Sequence, residues 1–90
     1  MQYTDTNEYL RRILMLKEVM RLHPAVMVAV TDSDRQVLQR YFLGGSEVED
    51  ATEYRRQVIK SDHKIEIQAN KAYERFMAEA GMSEALLPVR

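Results

Sequence analysis

The sequence predicts a small all-α protein, and three observations carry that reading. Apolar residues recur at spacings of three and four rather than two. Glycine and proline occur only at Pro24, Gly44, Gly45, Gly81 and Pro88, so long stretches run without a breaker. Cysteine is absent from the 90 residues, which removes a disulfide scaffold, thiolate catalysis and cysteine-ligated zinc. The expected architecture is a bundle of four to five helices at about 5–22, 24–30, 32–43, 46–60 and 62–80. A single helical domain is expected over 1–90, with 81–90 as a loosely ordered C-terminal tail.

Thr4 or Asp5 can cap the first helix, and Glu8 three residues after Asp5 completes a capping-box-like start. Leu10, Ile13, Leu14, Lys17 and Met20 then fall along one stripe, widened by Tyr9, Leu16 and Val19. His23-Pro24 ends it, because a residue before proline is pushed out of the α region. The next stretch, AVMVAV from Ala25 to Val30, reads as helix or strand. Its only candidate strand partner is Lys64 to Gln68, and a two-stranded sheet alone is marginal, so a short buried helix is expected.

Thr31 caps the third helix, with Asp34 at the reciprocal position and two acids facing the dipole. Val37, Leu38, Tyr41 and Phe42 form its apolar face, and Gly44-Gly45 offers a left-handed stop. Ser46 caps the fourth helix. No glycine or proline follows before Gly81, and one unbroken helix over 46–80 would run roughly 50 Å. A folded chain of this length has a radius of gyration of only about 12 Å. The apolar seam of such a rod would also carry Arg55 and Asp62, so a break near Lys60-Ser61-Asp62 is expected, with Ser61 as the new N-cap. The last helix presents Ile65, Ala69, Ala72, Tyr73, Phe76, Met77 and Ala80 on one face. Met15, Met20, Met27 and Met77 are expected to fill core gaps.

Lys plus Arg is 13 and Asp plus Glu is 14, a net charge of −1 that removes any blanket argument for a polyanion partner. The longest apolar run, 25–30, is far shorter than the roughly 20 residues a bilayer span needs. The polar N-terminus lacks the features of a secretory leader, and no membrane partner is expected. A cytoplasmic location follows as the expectation. Chemistry-bearing groupings are sparse. His63 and Glu66 have a metal-pair spacing but no third ligand nearby, and His23 lies 40 positions away, so both histidines read as surface polar groups. Asp32 and Asp34 are accounted for by capping, and Gly44-Gly45 lacks the lysine of a phosphate loop. Neither enzymatic activity nor a metal or other cofactor is expected.

Binding is the remaining class. Acids at Glu47, Glu49, Asp50 and Glu53 precede bases at Arg55, Arg56, Lys60 and Lys64, a gradient that suits a helix macrodipole and would also suit a phosphate-facing patch. Leu16, Val19, Ile59 and Ile67 lie off the main stripes and are the candidate docking residues for another protein or a second copy of the chain, as a homo-oligomer. A regulatory or assembly module acting by protein–protein binding is the leading expectation.

One stretch supplies the alternative. Thr31 to Phe42 (TDSDRQVLQRYF), then Gly44-Gly45-Ser46 and Glu49-Asp50-Ala51, resembles DNA-binding region 4 of sigma factors and the phage late-gene regulators related to it. The resemblance, over 31–76, implies a helix-turn-helix transcriptional regulator whose second helix enters the major groove. Ser61 would open that helix; Asp62, His63, Lys64 and Gln68 would face base edges, with Arg55, Arg56, Lys60 and Lys71 toward phosphates.

Overall fold

The computed structural model describes residues 6–45 and 47–81. Five helices follow one another: α1 (Thr6–Leu22), α2 (Ala25–Ala29), α3 (Asp32–Tyr41), α4 (Val48–Ser61) and α5 (Lys64–Glu79). The described residues contain no strand, so 25–30 takes the helical alternative, but not as the expected buried helix: none of the five residues of α2 is buried, because a single turn presses only one side on its neighbours. The expected caps at Thr4, Asp5 and Ser46, and the tail beyond Gly81, lie outside the described residues; the N-cap position of α4 falls on Glu47 rather than on Ser46 and carries no side-chain cap bond. The bundle measures 32 × 29 × 27 Å with a radius of gyration of 12.5 Å, which a 50 Å rod could not satisfy.

The α4–α5 break occurs at Asp62-His63, where Asp62 is extended at φ −158° and ψ 91°. Ser61 does not cap α5. It is the last residue of α4, its hydroxyl donates to the Val58 carbonyl at 2.8 Å, and Asp62 instead accepts from the Lys64 N–H at 3.2 Å. As expected from the dipole, Glu49 and Asp50 occupy the first turn of α4 and Lys60 the last.

α3 packs most extensively on α5, and this seam organises the core. Leu38 and Tyr41 from α3 and Phe42 at its C-cap join Ile65, Ala69, Ala72, Tyr73, Phe76 and Met77 from α5 in one cluster, all buried; Ala80 is half-buried at its end. Two alanines let the helix axes approach closely. Met15 and Met77 are buried, while Met20 and Met27 are half-buried against the same cluster. Thr31 caps α3 as its sequence implies, accepting from the Asp34 N–H at 3.1 Å. The Asp34 carboxylate does not reciprocate. It crosses to α5 and receives two bonds from Arg75 at 2.7 and 2.5 Å.

α1 is rotated from its expected register. Tyr9, Ile13, Met15, Leu16 and Val19 are buried, whereas Leu14 and Lys17 face outward. Tyr9 and Leu14 lie about 140° apart around a helix, and the buried arc of α1 extends from Tyr9 to Met15 on the side away from Leu14. Tyr9 wins because its ring joins an aromatic cluster, stacked on Phe42 at 5.6 Å and edge-on to Tyr41 at 5.3 Å. Its hydroxyl donates to the Tyr41 carbonyl at 2.8 Å. Arg12 ties α1 to α5 by donating to Asn70 Oδ1 at 3.0 Å while lying 4.6 Å over the Tyr73 ring.

Gly44 and Gly45 do not supply a left-handed cap. Gly81 is the residue with positive φ among those described, at 69°. Gly44 serves close approach instead: a Cβ there would lie 2.2 Å from Cζ and Oη of Tyr54.

Candidate interaction surfaces

Two of the four docking candidates are interior. Leu16 and Val19 are buried because the turn of α1 that admits Tyr9 carries them inward, so neither is on the surface of the folded chain. Ile59 is half-buried against the core. Ile67, also half-buried, lines a pocket of about 250 Å³ with Arg12, Asn70, Lys71 and Glu74.

The basic candidates divide. Arg55 points into the bundle, donating to the Tyr41 hydroxyl at 3.0 Å and the Glu66 carboxylate at 2.8 Å, with its guanidinium carbon 5.4 Å from the centre of the Tyr9 ring. Its side chain and that of Glu66 are only 13% and 14% exposed. A seam arginine is tolerated here because each polar tip finds a partner. Burial pushes the Tyr41 hydroxyl up to about 12 against the opposing hydrogen bond from Arg55. Burial works against the charge on Arg55, but its bonds to Tyr41 and Glu66 outweigh that and raise its pKa. This arginine is a structural strut rather than a phosphate contact.

Arg56, Lys60, His63, Lys64, Gln68 and Lys71 are exposed, and Arg56 pairs with Glu53 at 3.1 Å. Lys64, Gln68 and Lys71 share the outward side of α5, and exposed Arg75 continues their spacing of 4, 3 and 4 residues. Arg75 is nonetheless engaged with Asp34, so the row leaves Lys64, Gln68 and Lys71 facing solvent.

An apolar surface appears at the α1–α2 corner. None of the five residues of α2 is buried. Ala25, Val28 and Ala29 share its outer side, with Val28 79% exposed, and Leu22 at the end of α1 is 44% exposed. No charged side chain occurs between Arg21 and Asp32.

The polar side of α3 forms a third surface. Asp32, Arg35, Gln36, Gln39 and Arg40 line an open groove of about 610 Å³ closed by Gly44 and Tyr54. Arg35 is committed within it to the Met27 carbonyl and the Asp32 carboxylate. A neighbouring groove of about 270 Å³ is lined by Gly44, Gly45, Asp50, Glu53, Tyr54 and Gln57.

Among the described residues, no three histidine, aspartate or glutamate side chains converge as a metal site would require, and no helix is long and apolar enough to cross a membrane. Comparison with protein-family models, curated proteins and solved structures gives no match to this chain.

Proposed function

We propose that this protein is a non-enzymatic cytoplasmic assembly module that acts by protein–protein binding, its partner being a second copy of itself. The supporting observation is the outer face of α2, where Ala25, Val28 and Ala29 lie in solvent beside Leu22. Contiguous exposed apolar surface on a small soluble chain favours association, since removing it from water is worth about 25 cal/mol per Å². A two-fold contact sets the same patch against itself, and a patch without charge meets no like-charge repulsion in that arrangement. Sedimentation or light scattering over a concentration series tests this. Wild type should exceed monomer mass and Val28→Asp should lower it; a wild-type chain that stays monomeric at high concentration defeats the reading.

A second reading, a duplex-binding helix-turn-helix regulator, draws support from the outward row Lys64, Gln68 and Lys71 on α5. Two neutralised phosphates, at Lys64 and Lys71, would make affinity for mixed-sequence DNA fall roughly 12-fold between 50 and 200 mM salt. Lys64→Ala and Lys71→Ala should each flatten that slope. No retention on DNA at low salt removes this reading.

A further inference from the structure

The two grooves beside α3 and α4 share only Gly44 and Tyr54, so these residues form the ridge between them. The ridge is built. Gly44 has no Cβ, and the Tyr54 ring tip occupies the space where one would stand. On the α3 side Arg35 is matched to Asp32, and exposed Arg40, flanked by the amides of Gln36 and Gln39, makes no ion pair among the described residues. On the α4 side stand Asp50 and Glu53, both exposed, with Glu53 shared by Arg56 at the surface. A cationic groove and an acidic groove thus lie against one another across a single aromatic wall.

That arrangement is self-complementary. Rotating a second copy by 180° about an axis through the ridge sets the cationic groove of each chain against the acidic groove of the other. Both grooves are open rather than enclosed, which suits a protein surface better than a small ligand. We propose that the Tyr54 ridge is a second contact between copies of this chain, in which Arg40 meets Asp50 and Glu53 of the partner subunit and the two Tyr54 rings pack at the axis. This rests on the self-association reading and extends it, because the ridge is a different surface from the α1–α2 corner. Two distinct two-fold contacts on one chain close into a tetramer or extend into a chain of copies, whereas either alone stops at a dimer.

Light scattering of the full chain separates the two contacts, with circular dichroism confirming that each variant remains helical. Val28, Arg40 and Glu53 are all exposed, so their substitution leaves the core intact. With the corner disabled by Val28→Asp, the chain should remain a dimer that weakens with salt, because the surviving contact is charge-matched. Adding Arg40→Glu should raise the dissociation constant of that dimer by about tenfold or more, since the like-charge clash occurs twice across the axis. Adding Glu53→Arg to the same chain should restore the dimer by exchanging the two charges. A Val28→Asp chain that is monomeric, or a dimer indifferent to Arg40→Glu, overturns the ridge contact while leaving the corner standing. A Val28→Asp chain of unchanged mass that Arg40→Glu dissociates refutes the corner and sustains the ridge.

Discussion

The aromatic centre and the α1–α2 corner are comparably apolar in sequence and opposite in fate. Around Tyr9, Tyr41, Phe42 and Phe76 the rings are buried, and the Tyr9 and Tyr41 hydroxyls have partners. In α2, AVMVA buries none of its five residues. Hydropathy alone does not separate the two. Length does: a helix of five residues makes little more than one turn, so it can press one narrow side on its neighbours and must leave the other in water. Burial at the centre comes from long helices that return to the same point from three directions.

Truncation should expose this contrast most sharply. Phe76→Ala removes a fully buried ring and is expected to lower stability by about 3–5 kcal/mol in urea denaturation. Val28→Ala, at a side chain 79% exposed, should change it by less than about 0.5 kcal/mol. Both are measured at low protein concentration, because self-association would add apparent stability. A large loss at Val28 under those conditions would mean that α2 belongs to the core, and the comparison would collapse.

Next in size is the charge inside the centre. Arg55→Ala leaves the Glu66 carboxylate and Tyr41 hydroxyl without their donor in a mostly buried setting, an expected loss of about 2–3 kcal/mol. Replacing both ends together, Arg55→Met with Glu66→Leu, should recover much of it, because no unpaired charge then remains. If the single and double variants are equally unstable, the strut contributes through packing of its stem rather than through its charge.

How much of this was legible in the sequence varied helix by helix. The inward face of α5 was readable because its apolar positions form one stripe with polar residues on the other side. α1 was not, since Leu10, Ile13, Leu14, Leu16 and Met20 offer overlapping stripes, and the choice was made by Tyr41 and Phe42 some thirty residues away. That same choice carried Leu16 and Val19 inside, away from any docking role. Arg55 looked like a seam-breaker because its partners, Tyr41 and Glu66, are 14 and 11 residues distant. Lys60, Lys64, Gln68 and Lys71 were readable as surface from their polarity. The Tyr54 ridge was not, because it exists only where the turn after α3 brings Gly44 beneath a ring ten positions later.

A smaller effect tests the seam between α3 and α5 at its solvent edge. The hydrogen bonds from Arg75 hold the Asp34 carboxyl below its ordinary range, against the raising effect of burial. A carboxylate with a depressed folded pKa contributes stability above its unfolded pKa and loses it as pH falls through the folded value. Asp34→Asn should therefore be less stable than wild type at neutral pH, and the gap should close only below about pH 4. A gap that is constant from pH 7 to pH 3 would show that Asp34 acts by shape rather than by charge.

A change at the same helix start lies one turn away and serves as the control for that pH profile. Thr31 Oγ1 accepts from the Asp34 N–H, a neutral bond that no carboxylate titration alters. Thr31→Ala should cost about 1 kcal/mol by orphaning that donor, and the loss should persist unchanged across the window in which Asp34→Asn converges on wild type. Because the Asp34 side chain is committed to Arg75 and not to a reciprocal cap, the two substitutions should also add in the double variant at pH 7. Strong non-additivity in thermal denaturation would instead mean that the backbone and side chain of Asp34 respond as one unit, joining the start of α3 to α5 more rigidly than two separate bonds would.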